Sequence, residues 1–80
     1  EENTKAIPRV RFEAISIGTN LALRENINLE PVYMDWIDSK EFKIHTTSDA
    51  ANNRNKLIGR IEFVRDCLLN RIKKEDLSFG

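Results

Sequence analysis

The chain has 80 residues, of which 40% are apolar and 32% are charged, and its 13 Lys and Arg balance its 13 Asp and Glu. This composition is typical of a globular domain and excludes an intrinsically disordered one, and the length allows one domain at most. No apolar run approaches the ~18 residues that span a bilayer, and the single cysteine excludes an internal disulfide. The sequence does not begin with Met, so we expect a piece of a longer protein. A small domain without disulfides favours a reducing compartment, and we expect a cytoplasmic protein without a membrane partner.

The first part of the chain predicts a linker followed by a long helix. Residues 1–8 are mostly polar and predict a linker or frayed terminus. Over residues 9–26, apolar side chains recur at steps of three and four, the period of one helix face. This pattern places Ile17 and Leu21 in the core, and Asn26 is a plausible left-handed residue at the end of the helix.

Gly18 lies in the middle of this predicted helix, and we expect it in the core as well. A glycine there costs about 1 kcal/mol relative to alanine. We expect the close approach of another backbone or of a large ring to compensate for that cost. Trp36 is the ring that we predict to pack against it.

A short helix is predicted at about 39–45. Asp38 and Glu41 have the spacing of a capping box. In that motif the first side chain accepts from the backbone amide three residues later, and the second side chain accepts from the backbone amide of the capping residue. Trp36 precedes the predicted cap and Phe42 follows it. We therefore expect both aromatic side chains in the core.

The second long helix is predicted at about 54–73, after a polar stretch that favours caps and turns. Its apolar residues again follow the period of one helix face. The core residues expected on this helix are Leu57, Ile61, Val64 and Leu68. Residues 74–80 are predicted to be a tail. The sequence thus predicts an all-α fold with a single helical domain at 9–73.

Metal and catalytic sites find little support in the sequence. Zinc needs about four converging ligands, and the chain has one His and one Cys. We expect Cys67 in the core, where a free thiol behaves as a small hydrophobe, and His45 as a cation at a helix C-terminus. A small hydrolase using His45 and Ser48 is a remote alternative. We expect no cofactor, no metal and no enzymatic activity.

Polar and basic residues before and within the two long helices are candidates for contact with an anion or a nucleic acid. Free amides at a helix N-terminus favour an anion, although capping explains the same composition. The candidates are Arg9, Arg11, Ser48, Asn53, Arg54, Lys56 and Arg60. Contact with DNA requires the basic members to share one face of the molecule.

Three segments carry a family resemblance: RFEAISIG at 11–18, WIDSKEF at 36–42, and TSDAAN at 47–52 with RIEFVR at 60–65. They resemble the C-terminal region of bacterial proteins with an N-terminal ParB/sulfiredoxin-like domain, related to type IV, modification-dependent restriction enzymes. Many of those proteins lack a defined role. The resemblance implies that nucleotide-hydrolysing or nuclease chemistry belongs to that N-terminal domain, and no family catalytic motif falls on the residues of this chain.

The resulting hypothesis is a non-catalytic helical accessory module of a larger ParB-like-domain protein, with a role in DNA defence such as restriction or phage defence. The module would mediate interdomain or subunit contact. Its expected partner is the remainder of its own chain, with a homo-oligomer and DNA as further candidates. The alternative function is a nucleic-acid-contacting domain that uses a basic face.

Overall fold

The computed structural model describes residues 8–46 and 54–79, and no strand occurs among them. The three α-helices are α1 at Pro8–Glu25, α2 at Lys40–His45 and α3 at Arg54–Leu68, with 3-10 turns at Asp35–Asp38 and Lys74–Asp76. The predicted all-α fold is confirmed. Within these two ranges, no helix combines the length and apolar character needed to cross a membrane.

Small residues form the seam between α1 and α3. Ala14, Gly18 and Ala22 are buried at steps of four on α1. A methyl group added at Gly18 would lie 2.5 Å from the Cβ of Val64 and 3.0 Å from the carbonyl oxygen of Ile61. The expected close approach at Gly18 is therefore made by α3, and the nearest atoms belong to Val64 and Ile61 rather than to the predicted Trp36.

The small-residue seam changes which apolar side chains are buried. Ile17 and Leu57, both predicted to be core residues, are 44% and 39% exposed. Leu21 and Ile61 are half-buried. The reason is that α1 turns its alanine and glycine stripe toward α3, which leaves the larger neighbouring side chains on the flank of the helix pair. Five of the predicted core residues are buried as expected, and these are Gly18, Trp36, Phe42, Val64 and Leu68.

The two long helices run in the same direction. Gly18 in the middle of α1 lies against Val64 of α3. Glu25 at the end of α1 forms ion pairs with Arg65 near the end of α3 and with Arg71 just beyond it. The N-termini of both helices therefore lie at one end of the molecule, and their C-termini lie at the other.

An aromatic cluster covers one side of this helix pair. Trp36 and Phe42 are fully buried, with ring centroids 5.4 Å apart in an edge-to-face arrangement. Phe63 of α3 stacks on Phe42 at 6.0 Å, a geometry that aromatic pairs prefer. The 3-10 turn and α2 thereby attach to α3 on the side that also carries the Arg11 guanidinium, 5.6 Å from the Phe42 ring.

Ser39, rather than Asp38, caps α2. The Ser39 hydroxyl accepts from the Phe42 N–H at 3.1 Å, because Asp38 still belongs to the preceding 3-10 turn. Contrary to the prediction, the Glu41 side chain does not reach back to the backbone amide of the capping residue. Its carboxylate accepts from the Ser78 N–H at 2.9 Å, and the Ser78 carbonyl accepts from the Lys40 N–H at 2.8 Å. Part of the predicted tail is thus fastened to the start of α2.

Asn70 ends α3 earlier than the predicted residue 73. Its φ of 64° is in the left-handed region. The Asn70 N–H donates to the Cys67 carbonyl at 3.2 Å and the Arg71 N–H donates to the Asp66 carbonyl at 2.9 Å, which is the Schellman pattern of hydrogen bonds. The left-handed stop predicted at Asn26 does not occur, since Asn70 is the non-glycine residue with positive φ in the described ranges.

An ionic cluster joins the C-terminal ends of α1 and α3. Asp66 accepts from Arg65 Nε at 2.8 Å and from an Arg71 nitrogen at 3.1 Å, while Glu25 pairs with the same two arginines. Burial alone would raise the pKa of Asp66, but the hydrogen bonds from Arg65 and Arg71 outweigh it and lower the pKa below the ordinary 3.8. The charged form of Asp66 therefore stabilises the fold.

This cluster predicts an acid-dependent loss of stability. Because the folded pKa of Asp66 is depressed, its contribution is fully present above the unfolded value of 3.8 and is lost as the pH falls through the folded pKa. We expect Asp66→Asn to lose about 1 kcal/mol at pH 7 and to show a shallower decline of unfolding free energy below pH 4 than the wild type. Urea unfolding at pH 7 and pH 3 measures both. A decline of equal steepness in the two proteins would contradict this role. Asp35 and Glu41, whose pKa values are also lowered, contribute equally to the decline in both proteins, so a difference in steepness reports on Asp66.

Candidate protein-contact surface

Five aliphatic residues lie on one side of the α1 and α3 pair, and we call this side the apolar flank. It consists of Ile17 and Leu21 of α1 with Leu57, Ile58 and Ile61 of α3. Helical periodicity places these residues away from the side that α2 covers. The main chain of Ile61 lies directly beside Gly18, so the two helices contribute adjacent parts of one surface.

The apolar flank is open to solvent. Ile17, Leu57 and Ile58 are 44%, 39% and 43% exposed, and Leu21 and Ile61 are half-buried. Single exposed apolar residues are normal on a protein surface, but contiguous apolar patches mark contact sites. Five aliphatic side chains on neighbouring helices can bind another apolar surface and offer no group for catalysis.

Arg60 is not available for the predicted contact with DNA. Its side chain is 2% exposed, and its Nε donates to the His45 carbonyl at 2.9 Å. Burial lowers the pKa of Arg60, and the nearby Glu13 charge opposes this effect. Arg60 therefore belongs to the structure of the molecule, where a cation stabilises the C-terminal carbonyl groups of α2.

Three other basic candidates lie at one end of the molecule, which we call the basic end. Arg9, Arg54 and Lys56 are exposed and belong to the first turns of α1 and α3, which start at the same end because the helices run in parallel. Arg11 is half-buried, with its guanidinium over Phe42. The candidates Ser48 and Asn53 lie outside the described residues.

His45 differs from the predicted cationic residue at a helix end. Burial lowers its pKa, and the charges of Lys56 and Arg60 lower it further. Its ring packs on Phe63 at a centroid distance of 5.2 Å. The neutral form is thus favoured, and Arg60 takes the position of the cation at this helix end. The suggested hydrolase partner, Ser48, lies outside the described residues.

No family model, curated protein or solved structure matches the chain. The resemblance to proteins with a ParB/sulfiredoxin-like domain therefore stays a prediction.

Cys67 is buried, as predicted. Burial and the neighbouring Asp66 charge raise its thiol pKa to about 12, against a smaller effect of the Tyr33 hydroxyl. A thiol with such a pKa is almost entirely protonated at neutral pH and is a poor nucleophile. Among residues 8–46 and 54–79, no group of three or more His, Cys, Asp or Glu side chains could hold a metal ion.

Sequence reasoning missed the apolar flank, because it assigned Ile17, Leu57 and Ile61 to the core. The alternation of alanine and glycine at positions 14, 18 and 22 was the available signal. A stripe of small residues at steps of four allows two helices to approach closely. Such an approach leaves the larger side chains beside the stripe on the outside.

Proposed function

We propose that this chain is a non-catalytic helical module of a larger protein, and that it holds another protein surface against its apolar flank as an interdomain or subunit contact. The observation that carries the proposal is the exposure of Ile17, Leu57 and Ile58 on adjacent helices. The resemblance described above favours a ParB/sulfiredoxin-like domain of the same protein as the partner, and DNA defence as the setting.

Energetics favour a covered flank. Burying apolar surface stabilises a complex by about 25 cal/mol for each Å² removed from water. Each of the exposed flank side chains retains roughly two-fifths of its accessible surface in the isolated chain. Apolar residues at the centre of a contact surrounded by charged residues are typical of protein interfaces. Arg54 and Glu62, both exposed on α3, provide such charges near the flank.

The test uses two isoleucine variants of the 80-residue chain. Ile58→Glu places a charge on the flank, and the matched control Ile27→Glu places one on a loop residue that is 84% exposed. We expect saturable binding of the wild-type chain to the separately produced remainder of its protein, measured by titration calorimetry, or dimerisation measured by light scattering between about 10 and 500 µM. Ile58→Glu should weaken this association at least about tenfold, while Ile27→Glu leaves it unchanged. Circular dichroism confirms that both variants fold.

Two outcomes would overturn the proposal. The first is a wild-type chain that neither dimerises nor binds the remainder of its protein. The second is DNA binding in place of protein contact, read from the fluorescence anisotropy of a labelled duplex at low and moderate salt. Affinity falls with salt by a slope of about −0.9 for each neutralised phosphate. A slope of about −3 or steeper, lost in an Arg54→Gln, Lys56→Gln double variant and kept in Ile58→Glu, would assign the function to the basic end.

A further inference from the structure

A cleft with a volume of about 280 Å³ lies between the segment before the first 3-10 turn and the residues that follow α3. Val32 and Tyr33 form one wall, and Ile72, Lys73 and Lys74 form the other. The cleft shares no residue with the apolar flank or with the basic end. It is therefore a separate feature, which the proposed function does not use.

Hydrogen bonds fix the separation of the two walls. The Asn70 side chain accepts from the Val32 N–H at 2.7 Å and donates to the Glu30 carbonyl at 3.1 Å. The Tyr33 hydroxyl donates to the Ile72 carbonyl at 2.8 Å. Because Asn70 is held in the left-handed conformation that ends α3, its side chain is aimed across the gap. A cleft whose walls are fixed in advance loses little entropy when it binds a ligand.

The lining of the cleft is apolar with a cation at its edge. Val32 is 81% exposed although its backbone is hydrogen-bonded, and Ile72 is half-buried. Lys74 is occupied by Asp35, with 2.7 Å between Nζ and the carboxylate oxygen. Lys73 forms no ion pair within residues 8–46 and 54–79. Lys73 thus borders the apolar walls as a cation that the described residues leave without an ion pair.

We propose that this cleft binds a small organic monocarboxylate, with its apolar ring or branched chain between Val32 and Ile72 and its carboxylate at Lys73. The volume lies just below the range of about 300–1,000 Å³ for small-molecule sites, which selects a compact ligand. Glu75 also borders the cleft and repels anions, so a ligand with one negative charge is tolerated better than a ligand with two. Charge and shape therefore select a monoanion over a dianion such as a phosphate ester.

The test is an amide NMR titration of the 80-residue chain with benzoate, and with benzyl alcohol as the neutral analogue. We expect saturable shifts at Val32, Ile72 and Lys73 with benzoate. The binding should be about three- to tenfold weaker for benzyl alcohol, because the charge-assisted contact is missing. Lys73→Met should reduce benzoate affinity by a similar factor and leave benzyl alcohol binding unchanged. The matched control Lys43→Met removes an exposed lysine of α2 and should bind benzoate as the wild type does.

Three results would overturn the proposal. The first is the absence of saturation with benzoate at tens of millimolar. The second is equal affinity for benzoate and benzyl alcohol in the wild-type chain. The third is an equal loss in Lys73→Met and Lys43→Met, which would indicate a general effect of net charge. The amide spectrum of each variant reports whether the fold is intact, so a loss of binding through unfolding is recognised directly.

Discussion

We expect Gly18→Ala to unfold at a lower urea concentration than the wild type, with a loss of about 1–3 kcal/mol in unfolding free energy. Helix propensity alone predicts the opposite, since alanine is favoured over glycine by about 1 kcal/mol inside a helix. The steric effect prevails because the new methyl carbon would lie 2.5 Å from both Cβ and Cγ1 of Val64. The helices must move apart to relieve that contact.

The matched control is Gly59→Ala on α3. A methyl group there would lie 3.6 Å from the His45 ring, an ordinary contact distance. The remaining effect on stability is therefore the higher helix propensity of alanine. We expect this variant to equal the wild type or to gain up to about 1 kcal/mol. Opposite signs for the two glycines would confirm the close seam. A stabilised Gly18→Ala variant would show that α1 and α3 are farther apart than described.

Phe42→Ala should cost about 3–5 kcal/mol of unfolding free energy. The side chain is fully buried and touches the rings of Trp36 and Phe63 and the guanidinium of Arg11. Domains of this length have roughly 4–12 kcal/mol of total stability. Such a loss therefore brings the chain close to unfolding at 25 °C. Urea titration followed by Trp36 fluorescence and by circular dichroism measures the effect.

Phe12→Ala is the control for the aromatic cluster. Phe12 is 69% exposed, so removing its ring leaves no internal cavity and should change stability by no more than about 0.5 kcal/mol. Comparable losses in the two variants would contradict the central position of Phe42. A large loss confined to Phe42→Ala would instead support the attachment of α2 to the helix pair through this ring.

Apolar periodicity predicted both long helices and the buried side chains of Val64 and Leu68. The capping-box spacing predicted the short helix, with Trp36 and Phe42 buried beside it. Apolar periodicity could not choose between two overlapping stripes on α1, because a scale of hydrophobicity ranks Ile17 above Gly18. The choice depends on the partner helix, whose Val64 fills the space that a glycine leaves.

The candidate surfaces were harder to predict, because they depend on the direction in which separate elements run. Arginine is usually exposed, and Arg60 is buried only because α2 lies beside it. The exposed basic residues Arg9 and Arg54 share one end of the molecule because α1 and α3 are parallel, which no local pattern indicates. Asn70 is a favourable residue for the left-handed conformation, but several asparagines in the sequence meet the same criterion.

The parallel arrangement of α1 and α3 has a consequence for how the chain folds. Two antiparallel helices joined by a short turn can dock as soon as they form, whereas the partners Gly18 and Val64 come from distant parts of the sequence. The chain must close this long loop before the central seam forms, and the entropy of closure grows with loop length. Helical proteins with mainly local contacts fold in microseconds to milliseconds. This domain should fold at the slow end of that range, with docking of the long helices as the rate-limiting event.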